Sequence, residues 1–206
     1  MRALLGVLAV FLALTHVAGS NSVRTFNDDP VGSRPPGFVF ASSRQAPSDH
    51  WIVERDGDNR FLTHTLGPSG PGFALAVLDG IQSKDLAISA RLKFSGGNGE
   101  GGLVWRYQDA GNFYMARLDL HDQRMAIYRV VRGNRIRIEG KDELELDATA
   151  WHVLRARHEN ERIRVYLGGV KVFDVIDRTF RQPGSVGLWS AGESAISFDD
   201  FRVEDR

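Results

Sequence analysis

Charged side chains fall inside the strands of a predicted β-hairpin in the middle of the chain. The segment from Gly101 to His121 contains two runs of aromatic and branched residues separated by a Gln-Asp-Ala-Gly turn, which predicts two antiparallel strands. Arg106 lies in the first run, and Arg117 and Asp119 lie in the second. A hairpin that only builds a core would carry apolar or small polar residues at such positions. These charges are therefore candidates for contact with a ligand.

The residue types at these positions suit a ligand with many hydroxyl groups. Guanidinium groups donate paired hydrogen bonds, a carboxylate accepts them, and aromatic rings cover the C–H side of a sugar. Side chains alternate between the two faces of a strand, so we expect the two arginines and the aspartate on one face. The predicted ligand-binding residues are Arg106, Tyr114, Arg117, Asp119, Tyr128 and Arg129. The alternative is an exposed sheet face with salt bridges, where each pair adds about 0–1 kcal/mol.

The rest of the chain predicts the strands that must position this hairpin. The segment Asp85–Phe94 alternates strictly between apolar and polar residues, which is typical of a half-buried strand. Gly133 and the pair Gly168-Gly169 mark tight turns between further runs, and no segment has a helical period. About a dozen such strands predict an all-β fold, a two-sheet antiparallel β-sandwich of the jelly-roll type.

Three segments are expected along the chain. Residues 1–20 combine Arg2, an apolar run and a small-residue site at Ala18-Gly19-Ser20, which is typical of a signal peptide. The apolar run is shorter than the roughly 20 residues that span a bilayer, although an uncleaved anchor is the alternative. Residues 21–47 predict an N-terminal arm packed on the sandwich, and residues 48–206 the jelly-roll domain. We expect an extracytoplasmic location, secreted or periplasmic, with no membrane span after signal cleavage.

Charge and composition exclude several classes of function. The chain has 26 basic and 26 acidic side chains, which argues against a nucleic-acid partner because such surfaces need clustered positive charge. It has no cysteine, so disulfides, thiolate metal sites and cysteine nucleophiles are excluded. The histidines lack paired metal spacing, and His152 and His158 are expected at the surface.

The order of several motifs resembles a known superfamily. The segment GLVWRYQDAGNFYMARLDL is followed by RMAIYRVVRGNRIRI, AWHVLRARHENERIRVYLGGVKVFDVID, SVGLWS and SFDDFRVE. Together they resemble the concanavalin A-like lectin/glucanase jelly rolls, also described as laminin-G-like. Within these, the chain is similar to the 3-keto-disaccharide hydrolases and the family-16-like secreted domains. The similarity covers roughly the stretch from Asp85 to Glu204, and it is more specific for fold than for function.

The resemblance implies that an oligo- or polysaccharide binds on the concave sheet. We therefore expect a secreted or periplasmic carbohydrate-binding domain that does not cleave its ligand. A hydrolase of 3-keto-glycosides or related sugar derivatives is one alternative, and a laminin-G-type protein-interaction module is another. Whether the chain is an enzyme stays open on the sequence alone.

A run of carboxylates tests the hydrolase alternative. Glu143, Glu145 and Asp147 alternate along the chain, as the acid and nucleophile of a retaining glycosidase would on one side of a strand. The family-16 signature has the order Glu, Asp, Glu, and the order here is different. A solvated edge strand with Leu144 and Leu146 facing inward explains the same pattern. We assign no catalytic residue.

Two pairs of aspartates predict a structural calcium site. Many jelly rolls of the resembled superfamily hold calcium where their terminal strands meet, and Phe198–Phe201 resembles such a closing strand. If the two ends meet, four carboxylates would repel one another unless a cation compensates them. The predicted metal ligands are Asp28, Asp29, Asp199 and Asp200. The alternative is that they are surface aspartates in loops.

Overall fold

The computed structural model describes residues 21–43, 50–65, 72–96, 98–192 and 194–205. Over these ranges the chain forms strands and no helix, which confirms the predicted all-β class. Consequently, no helix in the described ranges is long and apolar enough to cross a membrane. The predicted signal peptide, residues 1–20, lies outside the described residues.

The described strands number fifteen. In chain order they are β1 (Asn21–Arg24), β2 (Phe38–Ser42), β3 (Trp51–Asp56), β4 (Asn59–His64), β5 (Ala74–Leu78), β6 (Leu86–Phe94), β7 (Gly99–Asp109), β8 (Asn112–Asp119), β9 (Arg124–Val131), β10 (Asn134–Lys141), β11 (His152–Glu159), β12 (Arg162–Leu167), β13 (Val170–Ile176), β14 (Ser185–Gly192) and β15 (Ile196–Asp205).

These strands form two antiparallel sheets. Sheet A has the order β13-β12-β11-β6-β15-β4-β3, with β1 paired to β15, and sheet B has the order β10-β9-β8-β7-β14-β5-β2. Many neighbours are distant in sequence, as in the pairing of β14 with both β5 and β7. The two-sheet antiparallel sandwich predicted from the sequence is confirmed.

The sheets pack face to face across one hydrophobic core. Leu92 and Phe198 contribute to it from sheet A, and Leu103 and Trp105 contribute from sheet B. The alternation predicted for β6 is confirmed, since its apolar residues at positions 86, 88, 90, 92 and 94 are all buried in this core. Burial of one face of each strand provides the main driving force for the fold.

The segment that precedes β3 is packed on the sandwich. β1 pairs with β15 and β2 pairs with β5, so each sheet gains a strand from this part of the chain. Phe26 and Phe38 have ring centroids 6.0 Å apart, and Phe38 lies 6.4 Å from Phe201. Aromatic contacts of this kind anchor the segment to the end of the core. The division into an arm of residues 21–47 and a domain of residues 48–206 stays a prediction.

Candidate functional site

The surface of sheet B that points away from the core carries the charged hairpin residues. In β8, Tyr114, Ala116 and Leu118 lie in the core, so Arg117 and Asp119 point outward. Tyr128 in β9 pairs with Met115 of β8 and therefore lies on the same side. We call this surface the outer face of sheet B. Its polar part, the polar strip, consists of Glu100, Arg117, Asp119, Tyr128 and Arg135.

Arg117 is the centre of the polar strip. Its guanidinium group forms ion pairs with Glu100 of β7 and with Asp119 of its own strand. Burial is the largest single influence on the pKa of Arg117 and lowers it, but Glu100, Tyr128 and Asp119 together outweigh burial, so the pKa is raised. The other oxygen of Asp119 accepts the backbone N–H of Asp122 at 3.0 Å. The guanidinium group is thus held in one orientation between two carboxylates.

Arg135 covers the strip from the edge of the sheet. Its guanidinium carbon lies 4.9 Å from the ring centroid of Tyr128 and 5.5 Å from that of Phe73. One of its nitrogens is 3.4 Å from a carboxylate oxygen of Glu100. The side chain of Arg135 is 33% exposed, so its remaining donors face solvent beside two aromatic rings. Guanidinium and aromatic groups in this arrangement can contact both the hydroxyls and the C–H face of a sugar.

A second apolar cluster lies next to the polar strip on the outer face of sheet B. Phe73 packs edge-on against Trp189 at 5.3 Å and against Phe113 at 6.4 Å. The indole N–H of Trp189 donates to the carbonyl of Ala116 at 2.9 Å, which leaves no buried donor unpaired in this ring. The fully or almost fully buried residues of the cluster are Leu75, Val77, Val104, Phe113, Met115, Val130 and Trp189.

The prediction that Arg106 shares the outer face with Arg117 is wrong. The register between β7 and β8 shifts after Trp105, and Arg106 has a positive φ of 45°, so its side chain turns to the end of the sandwich. There it is 1% exposed and donates to the carbonyls of Lys84 (2.9 Å), Phe180 (2.6 Å) and Asn160 (2.8 Å). Burial lowers the pKa of Arg106.

Two further predicted ligand residues also face the interior of the sandwich. The hydroxyl of Tyr114 donates to Asp177 at 2.5 Å, and Arg129 forms an ion pair with the second oxygen of the same carboxylate. Burial and the bond to Asp177 raise the pKa of Tyr114 to about 12. Tyr114 and Arg129 therefore support the core, and they are not part of the polar strip. Of the predicted ligand residues, Arg117, Asp119 and Tyr128 come together on the outer face.

His158 completes this interior network, although the sequence placed it at the surface. The ring is fully buried, and its Nδ1 accepts a hydrogen bond from the indole of Trp105 at 3.0 Å. Burial, followed by the charge of Arg106, lowers the pKa of His158 to about 3, so the ring is neutral. The signal was present in the sequence, because His158 has the same strand parity as the buried Leu154 and Ala156.

The fold has counterparts among solved structures. Neither the protein-family models nor the curated proteins include a match to the chain. The carbohydrate-binding module CBM66 from Bacillus subtilis superposes with a TM-score of 0.63 at 20% identity, covering 81% of this chain and 95% of that one. A Bacillus subtilis protein with a galectin-like fold gives 0.61 at 10% identity over 82% and 89%.

An enzyme with the same architecture is a β-1,3-glucanase from Mycobacterium marinum. It superposes with a TM-score of 0.56 at 16% identity, covering 87% of this chain and 96% of that one. The chain has the concanavalin A-like jelly-roll fold. The resemblance seen in the sequence is confirmed at the level of fold, and both binding modules and hydrolases share this jelly roll.

The carboxylates at positions 143, 145 and 147 do not form a cleft in this jelly roll. Residues 142–147 belong to no strand, so the predicted edge strand is wrong, and all three carboxylates are exposed. Leu144 and Leu146 do face inward, and both backbone N–H groups bond to Gln123 at 2.7 Å. Asp147 accepts hydrogen bonds from Thr149 at 2.8 Å. Inward packing of Leu144 and Leu146 explains why carboxylates and leucines alternate here, so the pattern does not indicate a catalytic site.

Three of the four aspartates predicted to bind calcium are paired with arginines in this jelly roll. Asp29 binds Arg24 at 3.1 Å, whereas Asp199 and Asp200 both bind Arg91, at 2.5 and 2.9 Å. Asp28 is exposed. Over the described ranges, no group of three or more histidine, aspartate and glutamate side chains could hold a metal ion. Guanidinium groups thus occupy carboxylate oxygens of Asp29, Asp199 and Asp200 that calcium would need, which argues against calcium at these positions.

Removal of divalent cations is expected to leave the stability unchanged. Because arginines pair with Asp29, Asp199 and Asp200, the melting temperature in excess EDTA should match that in millimolar calcium within about 1 °C. A stabilisation of about 1 kcal/mol by bound calcium would shift the melting temperature by more than this. Differential scanning calorimetry at constant ionic strength checks this expectation. A rise in melting temperature with calcium that is lost in an Asp199→Asn variant would restore the calcium site.

Proposed function

We propose that this chain is an extracytoplasmic jelly-roll domain that binds an oligo- or polysaccharide on the outer face of sheet B without cleaving it. The observation that carries the proposal is the polar strip, in which Arg117 is fixed between Glu100 and Asp119 and Arg135 lies over the rings of Tyr128 and Phe73. A solved carbohydrate-binding module of the same fold supports it by analogy. The extracytoplasmic location rests on the predicted signal peptide.

The strip offers the contacts that sugar recognition requires. Arg135 donates from an exposed guanidinium group, and the half-buried Tyr128 presents a ring and a hydroxyl. Arg117 is only 12% exposed, so its role is to hold the two carboxylates in position rather than to close over a ligand. A pre-ordered strip of this kind loses little side-chain entropy when a sugar binds.

The pairing of the strip carboxylates supports binding without hydrolysis. A glycosidase needs one protonated carboxylic acid and one ionised carboxylate flanking the scissile bond. Glu100 and Asp119 lie opposite each other in β7 and β8, but both form ion pairs with the same Arg117 guanidinium group. Arg117 thus lies between the two carboxylates, in the place that a scissile bond would need.

Loss of the exposed strip residues is expected to weaken glycan binding. Tyr128→Ala and Arg135→Ala should each reduce affinity for the best ligand on a glycan array by about 5- to 30-fold, the range for losing a well-packed aromatic or arginine contact. Surface plasmon resonance on that ligand measures the loss, and circular dichroism melting verifies the fold.

The matched control is Arg155→Ala. Arg155 is a similarly exposed arginine on sheet A, where it pairs with Glu204 at 3.0 Å, so its removal should leave glycan affinity unchanged. Equal losses in the control and strip variants would contradict the proposal. Release of monosaccharide from a 3-keto-disaccharide would favour the hydrolase alternative. Retention of a protein partner with no glycan bound would favour the laminin-G-type module.

A further inference from the structure

A polar cavity of about 560 Å³ opens at one end of the sandwich, away from the polar strip. Three connections contribute its walls: the segment between β5 and β6, the β11–β12 turn, and the segment between β13 and β14. Its charged lining residues are Lys84, Glu159, Glu161, Arg162, Arg164 and Arg181. The volume lies within the range of small-molecule sites.

The buried guanidinium group of Arg106 holds these three walls together. It donates to one carbonyl in each of them, at Lys84, Asn160 and Phe180. The carboxylate of Asp85 adds a further link, since it accepts the backbone N–H of Asn160 at 2.6 Å and lies 3.5 Å from Arg106. The walls of the cavity are therefore fixed relative to one another before any ligand arrives.

The carboxylates of the lining are already paired. Glu159 forms ion pairs with Arg157 and, at 3.2 Å, with Arg164. Glu161 accepts from Arg178 at 2.6 Å. Their charges are thus compensated from within the chain, and they do not balance the other cations at the cavity.

Two cations of the lining remain without such compensation. In the part of the chain that the structure describes, no carboxylate pairs with Lys84 or Arg181, which stand on different walls. Arg162 is also present, bound to Asp174 at 2.6 and 3.0 Å. The cavity therefore combines fixed walls with an excess of positive charge, which attracts an anion.

We infer that this cavity binds an oxyanion group, a carboxylate or a sulfate ester, on a ligand of monosaccharide size. Lys84 and Arg181 contact the oxyanion from two sides, and the 65% exposed Ile176 provides an apolar surface at the rim for the ring. Uronic acids and sulfated sugars are the ligand class with this chemistry. The inference is independent of the proposed function, because the cavity and the polar strip share no residue.

Calorimetric titration with four probes tests the inference at low ionic strength. D-Glucuronate and D-glucose 6-sulfate should both bind about tenfold or more tightly than neutral D-glucose, and the difference should shrink as salt is added. Inorganic sulfate should bind more weakly than the sugar sulfate, because it lacks the ring. Glucose affinity equal to that of glucuronate, or sulfate affinity equal to that of the sugar sulfate, would overturn the inference.

A double substitution places the effect at the cavity. The double variant Lys84→Ala/Arg181→Ala should lower glucuronate affinity about tenfold. The control variant Lys93→Ala/Lys141→Ala removes the same charge outside the cavity, and it should lower glucuronate affinity less than about twofold. Both cavity side chains are exposed, so unfolding curves should be unchanged. Equal losses in the two double variants would overturn the site. Tyr128→Ala should leave glucuronate affinity intact, which separates this cavity from the polar strip.

Discussion

Replacing Arg106 with methionine is expected to lower the free energy of unfolding by about 3–5 kcal/mol. The side chain is 1% exposed, and its guanidinium group donates to the carbonyls of Lys84, Asn160 and Phe180. Methionine keeps most of the apolar stem but leaves three carbonyls without this donor, and it leaves Asp85 without its cation. Urea unfolding followed by tryptophan fluorescence measures the loss.

The surroundings of Arg106 allow little compensation by movement. Gly184 packs against this part of β7 so closely that a Cβ atom there would lie 2.5 Å from the carbonyl carbon of Arg106. Arg106→Lys should recover only part of the stability, because one ammonium group cannot reach three separate carbonyls.

An exposed arginine in the same sheet is the control for Arg106. Arg137→Met, in β10, should change the free energy of unfolding by no more than about 0.5 kcal/mol, as is usual for surface positions. A loss below about 1 kcal/mol in Arg106→Met would contradict the role of this residue as the link between three loops.

The second large effect expected is a loss of stability in mild acid through His158. The folded protein holds this ring neutral, with a pKa of about 3, whereas the unfolded chain takes up a proton as the pH falls below about 6.5. The stability that the neutral ring contributes is fully present above pH 6.5 and decreases as the pH falls from there towards 3. Between pH 7 and pH 4.5 we expect a loss of about 2–3 kcal/mol from this residue.

The groups that face His158 support this direction. Arg106 opposes protonation of the ring, Trp105 requires its Nδ1 as an acceptor, and Tyr114 packs edge-on at 5.2 Å. Asp177 favours protonation, but it is the weaker influence and already binds Tyr114 and Arg129. Desolvation of the ring is the largest cause of the shift, and it cannot be relieved without opening the core.

A non-titrating variant isolates the histidine from the carboxylates. In His158→Asn the amide oxygen can replace Nδ1 as acceptor for Trp105, so the variant should lose less stability between pH 7 and pH 4.5 than the wild type does. Urea unfolding at several pH values gives both curves. His121→Asn, at a side chain that is 66% exposed, should follow the wild type. Parallel curves for His158→Asn and the wild type would contradict a buried neutral histidine.

Arg106 and His158 belong to one interior network of polar side chains that joins the two sheets. Trp105 and Tyr114 belong to sheet B, and His158 belongs to sheet A; Arg106 and Asp177 lie beside them at the end of the core. Burial would raise the pKa of Asp177, but hydrogen bonds from Tyr114, Thr179 and Arg129 outweigh it and the pKa is lowered. The hydrogen bond from Trp105 to His158 and that from Tyr114 to Asp177 tie the two sheets together at this end of the core.

Several features of this protein were determined by the sequence alone, because they depend on local alternation. The period of two in β6 and β8 separates core residues from outward ones, so the sandwich could be predicted, as could a shared face for Arg117 and Asp119. The same rule would have placed His158 in the core.

Only the tertiary structure decided which distant residues complete each site. Glu100 joins the polar strip because the register of β7 places it opposite Asp119, and Asp199 is neutralised by Arg91 from a strand 108 residues away in sequence. A single bulge at Arg106 changes the side of the sheet to which its side chain points. Strand order, register and bulges arise from packing between segments far apart in the chain, and a local residue pattern carries no record of that packing.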